Sequence, residues 1–344
     1  MEYRQLGRSG LRVSKLTLGT MGFGDRGPVA NIDVSGARRQ IDAAVDAGIN
    51  LIDTADAYSA GASEEIIGEV LKGRSDRLLV ATKARFPMGE GPNDLGLSRQ
   101  HLIEACEASL RRLGLDHIDL YQVHEWDGQT PVEETLAALD HLVQSGKVRY
   151  VGASNFAGWQ VMKALGIADR MGLVRFVSQQ VYLSLQERSA EYEVVPAAID
   201  QGLGLLIWSP LAGGLLSGKY RRGSEPPTGT RHAGDWHEPP IYDEDRLYDT
   251  IELLVEIAAE RSVSAAQVAL AWLLQRPGVT TVIVGARSDE QLADNLAAAD
   301  LTLTDDEVAR LEEVSRPPLI YPFWHQRASG RLSPADLSLI GSYG

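Results

Sequence analysis

Cysteine is all but missing from this chain. Cys106 is the single thiol among 344 residues, so no intrachain disulfide and no cysteine-rich metal centre can form, and a reducing compartment suits the sequence. Its helix-like neighbours assign Cys106 to core packing. Long apolar runs are also lacking: none reaches the ~18 residues a membrane span needs. The start, Met1-Glu2-Tyr3-Arg4-Gln5, carries no apolar signal core. A cytoplasmic location without membrane association is therefore expected. Clustered positive charge is a third absence. The 33 basic residues are scattered among 47 acidic ones, for a net charge of -14, which argues against a nucleic-acid surface because phosphates require grouped Lys and Arg. There is no low-complexity tract and no repeat at a solenoid period. His232, Asp235 and His237 fit no standard ligand spacing, so no metal is expected.

What the chain does have is a nearly continuous alternation of short apolar runs with helical periods. A hairpin is expected first, with Gly7-Arg8-Ser9-Gly10 turning between Tyr3-Leu6 and Leu11-Val13. Apolar runs follow at Leu16-Leu18, Ile49-Ile52, Leu78-Ala81, Ile118-Val123, Arg149-Gly152, Phe176-Val181, Leu203-Trp208 and Thr281-Val284. Helical patterns between them cover Ala37-Ala47, Glu64-Leu71, Arg99-Leu113, Val132-Ser145, Trp159-Met171, Glu193-Gln201, Leu247-Gln275 as two helices, and Asp289-Ala298. Apolar strands interleaved with helices call for an α/β protein whose parallel sheet is buried on both faces. Eight such units favour a closed (β/α)8 TIM barrel over an open doubly wound sheet, with the hairpin plugging the barrel floor. Residues 1–344 read as one domain. Two segments break the rhythm. Residues 213–242, rich in Gly, Pro and charge, read as a cover loop. Residues 316–344, with Tyr321-Pro322-Phe323-Trp324-His325, are too aromatic for a solvated tail and too Pro-rich for a helix, and are expected to lie over the barrel mouth.

Active sites of such barrels sit at the C-terminal ends of the strands. There this sequence has Gly19-Thr20-Met21, Asp53 and Tyr58, Lys83, His124, Ser154-Asn155, Gln179, Trp208-Ser209-Pro210-Leu211 and Gly285-Ala286-Arg287. Each alone has a plain structural explanation; Asp53 could simply cap the next helix. Eight polar positions on one face ask for a site. A phenol, an ammonium, a carboxylate and an imidazole are what is needed to hand a proton to a carbonyl oxygen while hydride reaches its carbon. Met21, Phe86, Trp126, Trp236 and Trp324 could form an aromatic wall. Glu64 and Glu65 begin a helix and would complement its dipole. His101, His117 and His141 read as surface or capping residues, and Tyr3 and Tyr121 as structural.

These residues carry a family resemblance. The chain resembles the aldo-keto reductases through Leu18-Gly19-Thr20-Met21, the Asp53 to Tyr58 stretch followed by Ser63-Glu64-Glu65, Lys83, Val123-His124 with Trp126-Asp127, Gly146 to Phe156, Trp208 to Tyr220, and Ile283 to Arg287 with Gln291 and Asn295. The likeness runs from residue 3 to about residue 315 and implies a barrel that binds NADPH across its mouth and reduces a small-molecule carbonyl, an aldehyde, ketone or keto-sugar, to the alcohol. Carried over by position, it implies Tyr58 as general acid, Lys83 as the cation that favours phenolate, Asp53 as the partner of Lys83, and a neutral His124 orienting the carbonyl. It also implies Ser154, Asn155 and Gln179 at the nicotinamide carboxamide, Trp208 against its ring, and Ser209, Pro210, Leu211, Gly213 and Lys219 at the pyrophosphate. Arg287 would meet an adenosine 2′-phosphate with Gln291 and Asn295 as lesser contacts, while Gly19, Thr20, Met21, Asp53, Gly285 and Ala286 complete the cofactor groove. Met21, Tyr58, Phe86, His124, Glu125, Trp126 and Trp324 are the expected substrate pocket.

The chain departs from one branch of the family, which has a Lys before the Ser or Ala of the last motif and an Arg a few residues later. Here Gly285 and Gln291 stand instead, so a preference for NADP(H) rests on Arg287 and use of NAD(H) stays open. Two other functions share the features: a nucleotide-binding regulatory subunit like the potassium-channel beta subunits, and a Schiff-base lyase using Lys83. The intact tetrad speaks against the first, and Asp53 beside Lys83 against the second. Oligomeric state is not legible in the sequence.

Overall fold

The computed structural model describes residues 1–27, 30–74, 78–225, 227, 228, 230, 232 and 238–328. Each of the eight expected apolar runs becomes a strand. After an antiparallel hairpin of β1 (Tyr3–Gln5) and β2 (Arg12–Ser14) come β3 (Leu16–Gly19), β4 (Leu51–Asp53), β5 (Leu79–Ala84), β6 (Ile118–Val123), β7 (Val148–Ser154), β8 (Ser178–Tyr182), β9 (Gly204–Trp208) and β10 (Val279–Val284). The last eight pair in parallel in chain order, and β10 closes on β3, making an eight-stranded barrel. Helices α1 (Val34–Asp46), α2 (Ala62–Leu71), α3 (Arg99–Leu113), α4 (Val132–Gln144), α5 (Gly158–Met171), α6 (Val194–Gln201), α7 (Glu244–Arg261), α8 (Ala265–Leu274) and α9 (Asp289–Ala297) lie between or after the strands. The expected (β/α)8 barrel is the observed one.

Local chemistry explains where the helices begin. Asp33 accepts from the Gly36 amide and starts α1 ahead of the expected Ala37, while Ser98, Ser264 and Ser288 cap α3, α8 and α9 in the same way. Two further helices were not anticipated. Thr304 and Glu307 form a reciprocal capping box that begins α10 (Asp305–Val314). The segment judged too Pro-rich for a helix contains α11 (Phe323–Ala328); Pro322 stands just before its first turn, where a missing amide hydrogen does no harm. Asp235, Trp236, His237 and residues 329–344 lie outside the described residues. Among the described residues, no helix is long and apolar enough to cross a membrane.

Apolar side chains fill two separate spaces. One large cluster lies between barrel and helices and includes Cys106, fully buried as expected, together with Trp272 on α8. A smaller one fills the lower barrel interior, where Leu51, Ala81, Leu120, Leu206 and Ile283 meet Leu6 and Val13 of the hairpin segment. The hairpin thus closes the floor. Arg4 donates to the Val279 carbonyl at 3.0 Å and the Arg8 amide to the Gly202 carbonyl at 2.7 Å.

Two expectations about single residues need correction. His101, in α3, is buried rather than at the surface, because its place in the first turn faces inward while its amide takes the Ser98 cap. Glu64 is fully buried and does more than face a helix dipole: it accepts from the Thr82 hydroxyl at 2.5 Å and from Arg112 Nε at 2.7 Å.

The tightest point of the floor is Gly7. Its φ is +57°, and a Cβ there would stand 2.3 Å from the Val177 carbonyl oxygen, 2.6 Å from that of Gly202 and 2.7 Å from the Gly204 amide. All three neighbours are backbone and cannot swing away. Gly7→Ala should therefore lower the unfolding free energy by about 3 kcal/mol, read from urea denaturation. A loss below about 0.5 kcal/mol would mean that the hairpin does not seal the floor this tightly.

Candidate active site

Parallel pairing sets which side chains meet above the apolar floor. Asp53 is in register with Gly19 on one side and Ala81 on the other, and Lys83, two residues beyond Ala81, points to the same inward face. The backbone after β4 is then laid along β5: the Thr54 amide donates to the Ala81 carbonyl at 2.9 Å and the Asp56 amide to the Lys83 carbonyl at 3.1 Å. Thr20 braces the turn, its amide and its hydroxyl both donating to the Asp53 carbonyl at 3.0 Å. Directly after Tyr58, Ser59 and Ala60 adopt φ of +49° and +53°, a strained conformation for residues with a Cβ.

This places the Lys83 ammonium among three acceptors. It donates to Asp53 Oδ2 at 2.6 Å, to the Thr54 carbonyl at 2.8 Å and to the Tyr58 hydroxyl at 3.4 Å. An ammonium has three protons, so its donors are matched. Lys83 and Asp53 are both buried. Burial alone would lower the Lys83 pKa, but Asp53 and then Tyr58 outweigh it and leave it raised, so the group is charged. Desolvation pushes the Tyr58 phenol above its ordinary value, and Lys83 opposes that shift without cancelling it; at rest the phenol keeps its proton. For His124, burial first and then the cations Lys83 and Arg85 hold the pKa well below 6.5, so the ring is neutral at pH 7. Its Nδ1 has no partner among the described residues. The imidazole meets Tyr58 edge-on with centroids 5.9 Å apart.

The positions assigned to a nucleotide lie on the same rim. Ser154 Oγ and Gln179 Oε1 are buried without a partner among the described residues, while Gln179 Nε2 donates to the Phe156 carbonyl at 2.6 Å. Asn155 takes φ +53° and bridges two neighbours, donating to the His124 carbonyl at 3.2 Å and accepting from Trp208 Nε1 at 3.0 Å. Around Ser209 and Leu211 the amides of Ala212, Gly213 and Gly214 donate within the turn itself. Pro210 is buried beside it. The Lys219 ammonium lies close over Gly214 and is the cation of this turn. Gly19 and Gly285 approach so closely that a Cβ on Gly285 would stand 3.3 Å from the Gly19 carbonyl oxygen. Gln291 and Asn295 brace the Gly285-Ala286-Arg287 loop, accepting from the Arg287 amide at 3.0 Å and donating to the Gly285 carbonyl at 3.3 Å.

The expected substrate wall is gathered only in part. Phe86 stands edge-on to His124 at 4.7 Å, with Arg85 over its ring at 5.2 Å and Arg85 paired to Glu125 at 3.5 Å. Met21 is half-buried on the rim. Trp126 instead packs on Phe156 and Trp159, and Trp324, on α11, contacts Tyr321 and His325. Among the described residues neither makes a ring contact with Tyr58 or His124.

Sequence reasoning missed Gln122 and Gln180. Gln180 Nε2 donates to Asp53 Oδ1 at 2.8 Å, and Gln122 Nε2 approaches the same oxygen at 3.4 Å. Gly152 makes room, since a Cβ there would meet Ser178 Oγ at 2.5 Å and Gln122 Cγ at 3.2 Å. The available signal was an amide at an inward-facing position of a buried strand.

The model of the aldo/keto reductase family matches residues 15–316. An uncharacterized oxidoreductase, YrpG, of Bacillus subtilis is 43% identical over 322 residues, covering 90% of this chain and 94% of its own. A probable voltage-gated potassium channel subunit beta of Oryza sativa is 39% identical over 325 residues, covering 91% and 96%. The versiconal hemiacetal acetate reductase of Aspergillus parasiticus is 38% identical over 345 residues, covering 94% and 99%.

One buried acid beside the tetrad has a measurable consequence. Neither oxygen of Asp56 has a well-formed hydrogen bond among the described residues; burial first, and then the charge of Glu64, push its pKa up to about 7, with the Ala57 amide offsetting this in part. An unfolded Asp titrates near ~3.9. Between those values the folded chain holds the extra proton, so stability falls as pH rises through the window and the penalty is complete above it. Asp56→Asn should therefore raise the unfolding free energy at pH 8 by about 2 to 4 kcal/mol, with the difference vanishing near pH 4. Equal stability of the two proteins at pH 8 would show that the carboxylate is satisfied.

Proposed function

Because this chain belongs to the aldo/keto reductase family, we propose that it reduces an aldehyde or ketone to the alcohol with NADPH, Tyr58 acting as the general acid. The observation that supports this most directly is the Tyr58 hydroxyl at hydrogen-bonding distance from a buried Lys83 that Asp53 holds. The chain is an oxidoreductase by family; the nucleotide, the proton donor and the substrate class are our reading.

A nicotinamide fits the rim. Ser154 Oγ and Gln179 Oε1, buried and unpartnered among the described residues, are what a carboxamide edge would satisfy. Trp208, fixed by Asn155, would wall the ring. Lys219 and the turn from Ser209 to Gly213 would face the pyrophosphate, and Arg287 a 2′-phosphate through its planar fork. When bound, NADPH supplies the hydride. The substrate oxygen would lie between Tyr58 and His124, where the neutral imidazole donates one hydrogen bond and orients it. As the carbonyl electron pair moves onto that oxygen, the Tyr58 hydroxyl gives up its proton to it. The phenolate left behind is stabilised by the adjacent Lys83 ammonium, whose own charge is secured by Asp53. Phe86 beside His124 would exclude water from this point. Residues 213–242 and those after 316 we read as the covers that set which carbonyl compound enters.

A Schiff base is disfavoured, because every proton of the Lys83 ammonium already has an acceptor. A second reading, nucleotide binding in a regulatory subunit, is favoured by the Oryza relative. A panel of aldehydes and ketones assayed with NADPH and NADH in parallel separates the readings, with steady cofactor consumption marking the enzyme. In Tyr58→Phe we expect turnover to fall by about 10²- to 10⁴-fold, while nucleotide affinity, measured by fluorescence quenching, stays within about twofold. Undiminished turnover in that variant would remove the mechanism.

A further inference from the structure

Asp53 has two carboxylate oxygens, and Lys83 occupies one. The other, Oδ1, accepts from Gln180 Nε2 at 2.8 Å, with Gln122 Nε2 behind it at 3.4 Å. In the closed order of strands, β8 lies four places from β4, so Gln180 reaches Asp53 from the opposite wall of the barrel. Both amides are buried. A carboxylate only accepts, so the NH₂ side of each amide must face it, and the contact is charge-assisted.

We propose that Gln180 is the positioning residue of this site, holding the far oxygen of Asp53 so that the near oxygen stays on Lys83 and the ammonium stays beside Tyr58. This rests on the reductase reading above. Without Gln180 the far oxygen keeps only the longer 3.4 Å contact from Gln122; the carboxylate could then turn about its Cβ–Cγ bond, and the ammonium would lose one of its three fixed acceptors. Gln180 thus acts through Asp53 and Lys83, and among the described residues its side chain makes no hydrogen bond to Tyr58. The charged group that Gln180 meets is Asp53, and the titratable groups that act on Asp53 are Lys83 from β5 and Tyr58 from the turn after β4. Neither replaces a neutral donor on Oδ1: Lys83 is committed to Oδ2, and the Tyr58 hydroxyl makes no hydrogen bond to that oxygen among the described residues.

The test uses the full chain with Gln180→Leu, Gln180→Met and Gln180→Glu, and compares melting temperature, NADPH affinity, kcat, KM and the pH profile on the best aldehyde. In the two apolar variants kcat should fall about tenfold with NADPH affinity kept within about twofold. The basic limb of the profile should move down by about half a pH unit or more, because Lys83 is held less firmly in its charged form. Gln180→Glu keeps the shape but loses the donor when ionised, so its rate should recover toward acid pH as the introduced carboxyl gains a proton it can offer Asp53. If the apolar variants fail to fold, this recovery decides the matter. A folded apolar variant with wild-type kcat and pH profile overturns the proposal, as does a loss of rate with an unmoved basic limb and no acid recovery, which would be mere packing. A wild-type chain that turns over no carbonyl ends the reductase reading and this inference together; an active wild type that depends on Tyr58, beside an unaffected Gln180→Leu, ends this inference alone.

Discussion

A buried ion pair governs the upper half of this barrel. Taking an ammonium and a carboxylate out of water is unfavourable by several kcal/mol for each ion, and the pair persists only where every remaining proton and lone pair is met. At Lys83 and Asp53 the Thr54 carbonyl, the Tyr58 hydroxyl and the Gln180 amide complete that shell. The same demand explains the rest of the neighbourhood. Gly152 must lack a side chain so that Gln122 can lie behind Asp53, and Thr20 must hold the Asp53 carbonyl so that the strand ends at this level.

The barrel is therefore built in two storeys. Below, Leu51, Ala81, Leu120, Leu206 and Ile283 pack against the hairpin's Leu6 and Val13 and keep water from the floor. Above, the same inward-facing parity carries Asp53, Lys83, Gln122 and Gln180. An apolar base lowers the local dielectric, which strengthens each contact in the polar storey and raises the penalty for any group left unmatched. Among the described residues Asp56 is such a group, and it stands two residues from Tyr58. His124 is another, its neutral ring kept so by burial and by two cations.

Function, on the proposed reading, draws on this contrast. A proton donor must be protonated at rest and yet able to release its proton; desolvation secures the first at Tyr58 and the Lys83 charge the second. The rim residues contribute differently from one another. Asn155 ties His124 to Trp208, whereas Gln291 and Asn295 act on the loop of Arg287 rather than facing outward.

Periodicity along the chain was enough to reveal eight strands and nine of the eleven α-helices among the described residues and to favour the closed barrel, since apolar strand runs and helical spacing are local properties of adjacent residues. It also put Asp53, Tyr58, Lys83 and His124 at or just beyond strand ends, because position along a strand is countable. It could not reveal α11, where the placing of Pro322 outweighs its frequency, nor that Glu64 and His101 are buried. Trp126 and Trp324 were grouped by residue type, and only packing parted them from Phe86. Gln180 shows the boundary most clearly: the sequence by itself determined that an amide follows Gln179 on an inward-facing position, but only barrel closure brought β8 opposite β4, and a hydrogen bond between residues 53 and 180 exists only in three dimensions.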